Sequence, residues 1–161
     1  MINAKAVEKA IYFQNNGEID LLTGSISPTL FNSMVKRDID LARRSGNQLA
    51  IFSLKVNLPK LIEIKYKNFS INEVRLDIEE LLVEVHFKLK NLVRSSDCIS
   101  RVSSLGFWIL INSANSSDLS QLEKRINDLF SEFLVLVVIP REGEQDFSSW
   151  YQAIDHKHFS I

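Results

Sequence analysis

The chain has 161 residues, 45% of them apolar and 24% charged, the make-up of one globular domain with its own core rather than of a disordered or collagen-like segment. Nineteen Lys and Arg face 20 Asp and Glu, a formal charge of −1, which argues against duplex DNA or an anionic membrane surface as the main partner. The lone Cys98 excludes an internal disulfide framework and a multi-cysteine zinc site, and the longest apolar run, residues 133–140, falls far short of the ~20 residues a membrane-spanning helix needs.

In chain order, residues 4–15 read as a short amphipathic helix with Ala6, Ala10, Ile11 and Phe13 toward one side. Lys5, Glu8 and Lys9 interrupt any signal-peptide core, so a cytoplasmic location is expected. Asn15-Asn16-Gly17 ends that segment, and Asp20-Leu21-Leu22-Thr23-Gly24 forms a loop. Ser27-Pro28 starts a helix that runs to about Arg44 and stops at Ser45-Gly46-Asn47. Residues 49–56 (LAIFSLKV) predict a central strand, because their apolarity is nearly continuous, and a short helical stretch follows Pro59 through Lys67. Ile71, Val74, Ile78, Leu81, Leu82, Val85, Leu89 and Leu92 recur on one face of a long helix. Residues 97–103 and 107–113 predict a hairpin around Ser104-Leu105-Gly106, with Gly106 taking positive φ. A helix over residues 116–130 turns Leu119, Leu122, Ile126 and Leu129 inward. A buried strand over 133–139, a polar loop over 141–146 and a last helix over 147–157 complete the chain.

The order β-α-α-β-β-α-β behind an N-terminal helix predicts an α+β fold of the ferredoxin-like type. It has a central antiparallel or mixed sheet flanked by helices. Residues 1–18 read as an N-terminal linker helix that could mediate homodimer contacts, and residues 19–161 as one domain.

Several strings, in order and spacing, resemble the GGDEF (diguanylate cyclase) family over roughly residues 20–140, and the resemblance implies the nucleotidyl-cyclase type of that α+β fold. Asp20-Leu21-Leu22-Thr23-Gly24 is similar to its D-x-L-T-G opening, and Phe31 sits where the next helix carries a Phe. Leu41-Ala42-Arg43-Arg44-Ser45-Gly46 is similar to its A-R-R-x-G helix end. Lys60 falls at its phosphate-contacting Lys, and Arg94-Ser95-Ser96-Asp97 followed by Arg101-Val102 resembles the approach to its signature hairpin. The hairpin itself departs: Ser103-Ser104-Leu105-Gly106-Phe107 stands for Gly-Gly-Asp-Glu-Phe. The resemblance implies a metal-binding acid at Leu105 and a catalytic acid at Gly106, and neither is present. The metal-binding Asp of the first strand aligns with Lys55, with Asn57 two residues on. The guanine-reading residues align with Glu63 and Asn72, and a Gly-His pair with Lys67-Asn68.

Phosphoryl transfer from a triphosphate depends on divalent cations, and hard cations need oxygen ligands. Leu105, Gly106 and Lys55 supply no side-chain oxygen, so the expectation is a catalytically inactive GGDEF-like regulatory module with neither metal nor cofactor. What the resemblance leaves is an R-x-x-D site for cyclic di-GMP at Arg94 and Asp97, with Arg101 adding charge nearby. An Arg fork suits guanine O6/N7 or a phosphate, and an ionised Asp accepts from the guanine N–H edge. The competing structural account has Arg94 complementing a helix C-terminus and Asp97 capping a turn. The expected partners are cyclic di-GMP and a protein partner or second copy, with no nucleic acid and no membrane insertion. The alternatives are a residual cyclase or other nucleotidyl transferase, and a scaffold that binds no nucleotide.

Other residues read as structural. His86 is a helix-flank residue, Cys98 a packing residue in a buried strand, and Trp108 and Trp150 are anchors. Asp77, Glu79, Glu80 and Glu84 form a solvated face. Ser103 and Ser104 find no base in sequence reach, and His156-Lys157-His158 finds no third metal ligand.

Overall fold

The computed structural model describes residues 1–112, 115–130 and 132–159. Among these, six helices surround one four-stranded sheet: α1 (Ala4–Ala10), α2 (Pro28–Ser45), β1 (Leu49–Val56), α3 (Leu58–Lys65), α4 (Ile71–Leu92), β2 (Cys98–Ser103), β3 (Gly106–Asn112), α5 (Ser116–Phe130), β4 (Leu134–Pro140) and α6 (Phe147–Phe159). Ser113, the expected end of the second hairpin strand, lies outside the described residues.

The sheet order is β2-β3-β1-β4, and every strand pair is antiparallel. The fold is therefore α+β, and of the two sheet types expected it is the antiparallel one. β1 is central, as its apolar run requires. Alternate side chains along a strand serve opposite faces. Ala50, Phe52, Leu54 and Val56 join the core under α1, α3, α4 and α5. Leu49 and Ile51 join Phe31, Val35, Trp108, Trp150 and Ile154 under α2 and α6.

Local signals explain the helix ends. Ser27 caps α2 through Leu30 N, with Pro28 in the first turn, and Gly46 closes it at φ 74°. Ser70 and Glu73 form a reciprocal capping box at the start of α4. Trp150 is fully buried and donates Nε1–H to the Ile139 carbonyl at 3.3 Å. The ring of Trp108 packs edge-on to Tyr151 at 5.3 Å.

Three expectations need correction. The first helix stops at Ala10 because Tyr12 N is drawn to Glu79 Oε2 on α4 at 2.8 Å. Glu79 thus leaves the solvated acidic face: it also pairs with Arg75 at 2.8 Å. In α5, Ile126 and Phe130 are buried, but Leu129 is 45% exposed. Apart from these three, Val7 and Ile11 of the N-terminal segment are buried in the main core, against α3 and α4.

The Arg101 side chain, fully buried on β2, gathers the N-terminal segment. Its Nη1 donates to Tyr12 O at 2.8 Å and to both carboxylate oxygens of Asp20 at 3.2 and 3.3 Å, and its Nη2 donates to Ser104 O at 2.8 Å. Its guanidinium also lies 4.8 Å from the Phe13 ring centre. Asp20 in turn accepts from Thr23 N at 2.9 Å and Thr23 Oγ1 at 2.7 Å, which folds the loop. Burial pulls the Arg101 pKa down, and Asp20 acts against that shift. Removing one partner of a buried pair strands the other charge, so Asp20→Ala is expected to cost about 3–5 kcal/mol in urea unfolding. A loss under about 1 kcal/mol would contradict the pairing, because that is the range of an exposed ion pair.

Candidate functional site

The two ends of the molecule to which the sequence assigns chemistry are built differently. At the hairpin, Lys55 of β1 stands opposite Gly106 of β3, and Ser103 opposite Gly106 across the turn. Leu105 is 3% exposed and belongs to the main core, while its carbonyl accepts from Val56 N at 2.9 Å. Phe107 is fully buried. Asn57 caps α3 by accepting from Lys60 N at 3.3 Å. Lys55, Asn57 and Leu105 line a cavity of about 280 Å³ whose far wall is Lys5 and Glu8 of α1. Lys60, Glu63, Asn72, Ser103 and Ser104 are not among its walls. Asn72 instead accepts from Arg75 Nε at 3.2 Å and Nη2 at 2.9 Å.

Gly106 has a different reason from the one expected. Gly17, Gly24, Gly46 and Gly143 adopt positive φ; Gly106 does not. It is a glycine because the His158 ring of α6 lies directly on it. A Cβ there would sit 2.5 Å from His158 Nε2 and 2.6 Å from Ser103 Oγ. His158 is fully buried, with Nδ1 bonded to Ser53 Oγ and Nε2 3.2 Å from Ser103 Oγ. Burial and the nearby Lys55 charge push its pKa down to about 4, so the ring is neutral at pH 7. Ser103 thus does meet a histidine, one that sits 55 residues away in the chain.

At this end the three positions where the resemblance implies metal-binding or catalytic acids, Lys55, Leu105 and Gly106, carry no carboxylate. Leu105 is turned into the core, Gly106 has no side chain, and the space above Gly106 holds an imidazole. Among the described residues, no group of three or more His, Cys, Asp or Glu side chains converges anywhere to hold a metal.

The other end carries a cavity of about 490 Å³. Gly24 and Ile26 of the opening loop form one wall, and His86, Lys90, Arg94, Asp97 and Ile99 the other. His86, Lys90 and Arg94 are four residues apart, which stacks them along one side of α4 and its exit. His86 Nδ1 lies 2.7 Å from Ser25 Oγ, and burial followed by Lys90 lowers its pKa. Asp97 is held by backbone: Oδ2 accepts from Arg94 N at 2.9 Å and Oδ1 from Asn112 N at 3.3 Å. Burial raises its pKa, and these two bonds oppose the rise. The Arg94 side chain is 59% exposed, with Nη2 3.7 Å from Asp118 Oδ2. Arg94 and Asp97 also border a smaller cavity of about 170 Å³ with Asp118 and Arg125.

Arg101 is a correction to the expected site: it lies outside these walls, buried on Asp20. His86, read from the sequence as a helix-flank residue, lines the cavity. Its signal was the spacing to Lys90 and Arg94. Cys98 is buried, with its thiol 3.2 Å from Met34 Sδ and its pKa raised by burial.

The hairpin geometry yields two expected outcomes. Gly106→Ala is expected to destabilise by about 1–3 kcal/mol through overpacking. Combined with His158→Ala it should cost less than the two single losses added together, because the ring it strikes is gone; strict additivity in a double-mutant cycle would contradict the contact. For His158 the folded pKa of about 4 lies below the ordinary 6.5. The unfolded chain therefore binds a proton first as pH falls, and stability drops between pH 6.5 and about 4. Unfolding measured across that window should show a shallower slope in His158→Gln; an unchanged slope would contradict the buried neutral ring.

No family model and no curated protein matches this chain. Solved structures do. The GGDEF domain of DgcB from Caulobacter crescentus, in complex with cyclic di-GMP, superposes with a TM-score of 0.73 at 10% identity over 92% of each chain. A microbial GGDEF domain studied for its interaction with cyclic di-GMP gives 0.71 at 16% identity, over 89% of this chain and 88% of that one. The diguanylate cyclase SiaD from Pseudomonas aeruginosa, in complex with its activator SiaC, gives 0.70 at 16% identity, over 88% of this chain and 56% of that one. The arrangement of helices and strands described above is the fold of GGDEF domains.

Proposed function

We infer that the chain is a catalytically silent GGDEF-like module that binds cyclic di-GMP in the cavity at Arg94 and Asp97 and passes on its occupancy through protein contacts. The observation that carries this reading is the cavity itself. Its volume of about 490 Å³ lies within the usual range for small-molecule sites, roughly 300–1,000 Å³. Its walls join a basic row, Lys90 and Arg94, to a carboxylate and to the apolar side chains of Ile26, Val93 and Ile99. Two phosphodiesters suit the cations, and purine faces suit the apolar wall. Arg94 is mostly exposed and its ion pair with Asp118 is long, at 3.7 Å, so its fork can turn to a ligand. Asp97 spends lone pairs on Arg94 N and Asn112 N, which holds the turn that presents Arg94. Its part in the reading is thus largely positional. DgcB is a GGDEF domain crystallised with cyclic di-GMP, and the cyclase SiaD with a protein activator, which supports both halves of the reading.

The silent half rests on the hairpin. A hard cation finds no side-chain oxygen at Leu105, Gly106 or Lys55, and His158 closes the space above Gly106. Calorimetric titration with cyclic di-GMP is expected to give saturable binding that Arg94→Ala weakens by about tenfold or more. Lys90→Ala should weaken it less, and both losses should shrink with added salt. No heat, or binding untouched by Arg94→Ala, would overturn the site. Product formation from GTP with Mg²⁺ would overturn the silent half.

A further inference from the structure

The ring of His86 sits between the larger cavity and a buried chain of hydrogen bonds. It lines the cavity with Lys90 and Arg94, and its Nδ1 lies 2.7 Å from Ser25 Oγ. Ser25 is buried, and its Oγ is 2.9 Å from Thr23 Oγ1, which donates to Asp20 Oδ2 at 2.7 Å. Asp20 is the carboxylate that pairs with Arg101. One ring nitrogen is thus committed to the opening loop. Among the described residues the other, Nε2, has no hydrogen-bond partner within the chain.

The hydroxyl chain fits either protonation state of this ring. Thr23 has a single hydroxyl hydrogen, and the Asp20 carboxylate takes it. With the ring neutral, Ser25 Oγ–H donates to Nδ1 and the ring hydrogen sits on Nε2. With the ring charged, Nδ1–H donates to Ser25 Oγ, and the Ser25 hydrogen turns to Thr23 Oγ1. Nε2–H is a donor in both states, so protonation adds charge without breaking a bond. The charges that face the ring oppose each other: Lys90, one turn on along α4, disfavours the proton, and Asp20 of the loop favours it. Arg94 and Asp97 share the cavity walls, and Arg101 stands behind Asp20. Burial and Lys90 outweigh Asp20, so the free ring holds its proton less tightly than an ordinary histidine. A bound anion reverses that balance by adding negative charge beside the ring.

We propose that His86 is a recognition residue of this cavity: Nε2–H donates to a phosphate oxygen of the bound anion, and binding draws a proton onto Nδ1. This rests on the reading of the cavity as a ligand site, and adds to it a contact on α4 one turn before Lys90. The sign follows from linkage. An anion that raises the ring's pKa binds the protonated protein more tightly, so affinity rises as pH falls and levels off once the free ring is charged as well.

The test follows the His86 ring protons by NMR through a pH titration of the full chain, with His86→Gln assigning the signal. The titration is run on the free protein, with cyclic di-GMP, and with sodium sulfate against sodium chloride of equal ionic strength. Both anions are expected to raise the ring's pKa, cyclic di-GMP by about 0.5–1 unit. Calorimetry with cyclic di-GMP should then show wild type binding about three- to tenfold more tightly at the acid end of the titration than at the alkaline end. His86→Gln keeps a donor but cannot titrate, so its slope should be shallower; Asp97 is unchanged in the variant, and any slope left there is its own. A ring pKa unmoved by both anions, or equal slopes in wild type and His86→Gln, overturns the proposal; binding that Arg94→Ala weakens then leaves the cavity reading standing. No binding of cyclic di-GMP at any pH, with a ring pKa raised by sulfate, removes that ligand from the cavity and supports the anion contact at His86.

Discussion

A guanidinium with no exposure to water must find its partners inside the protein, and Arg101 finds them in parts of the chain far away in sequence. Asp20 neutralises it, the Tyr12 and Ser104 carbonyls accept from Nη1 and Nη2, and Phe13 packs on its face. One side chain of β2 thus fixes three things. It sets the path of the segment after α1, the folding of the Asp20–Gly24 loop, and the position of the hairpin turn. Glu79 completes the clamp by holding Tyr12 N from α4. The wall that Gly24 and Ile26 contribute to the larger cavity follows from the same loop.

From this frame the two ends of the domain diverge in chemistry. The hairpin end is filled from within: Leu105 faces the core and His158 covers Gly106. The ring is held by Ser53 and Ser103, and its neutrality suits a site shared with Lys55, whose charge would oppose a second cation. The end at Arg94 is open and cationic, with one carboxylate committed to shaping the turn. The proposed function rests on that contrast between an open, cationic end and a filled hairpin end.

Much of the architecture was legible because local signals agreed with the fold. The α4 stripe, the Ser27-Pro28 and Ser70 helix starts and the apolar run of β1 each predict their element with bounds close to those observed. The misses share one cause, which is contacts between residues distant in the chain. Nothing near residue 10 announces that Glu79 ends α1, and the chain separation between Arg101 and Asp20 is 81 residues. Gly106 read as a turn glycine because its true neighbour, His158, arrives from the last helix. The candidate cavity was half legible. The Arg94-x-x-Asp97 string pointed to it, whereas Arg101 belonged to the frame and His86 was visible only as a spacing.

The central claim is that ligand recognition has stayed at the Arg94 end while the hairpin end is closed. Amide chemical-shift mapping on uniformly ¹⁵N-labelled protein tests it directly, with cyclic di-GMP and GTP–Mg²⁺ as separate titrants. The account predicts shifts from cyclic di-GMP centred on Gly24, Lys90, Arg94 and Asp97, and no saturable change at Asn57, Leu105 or Gly106 with GTP–Mg²⁺. Saturable shifts at the hairpin with GTP–Mg²⁺, or none around Arg94 with cyclic di-GMP, would contradict it.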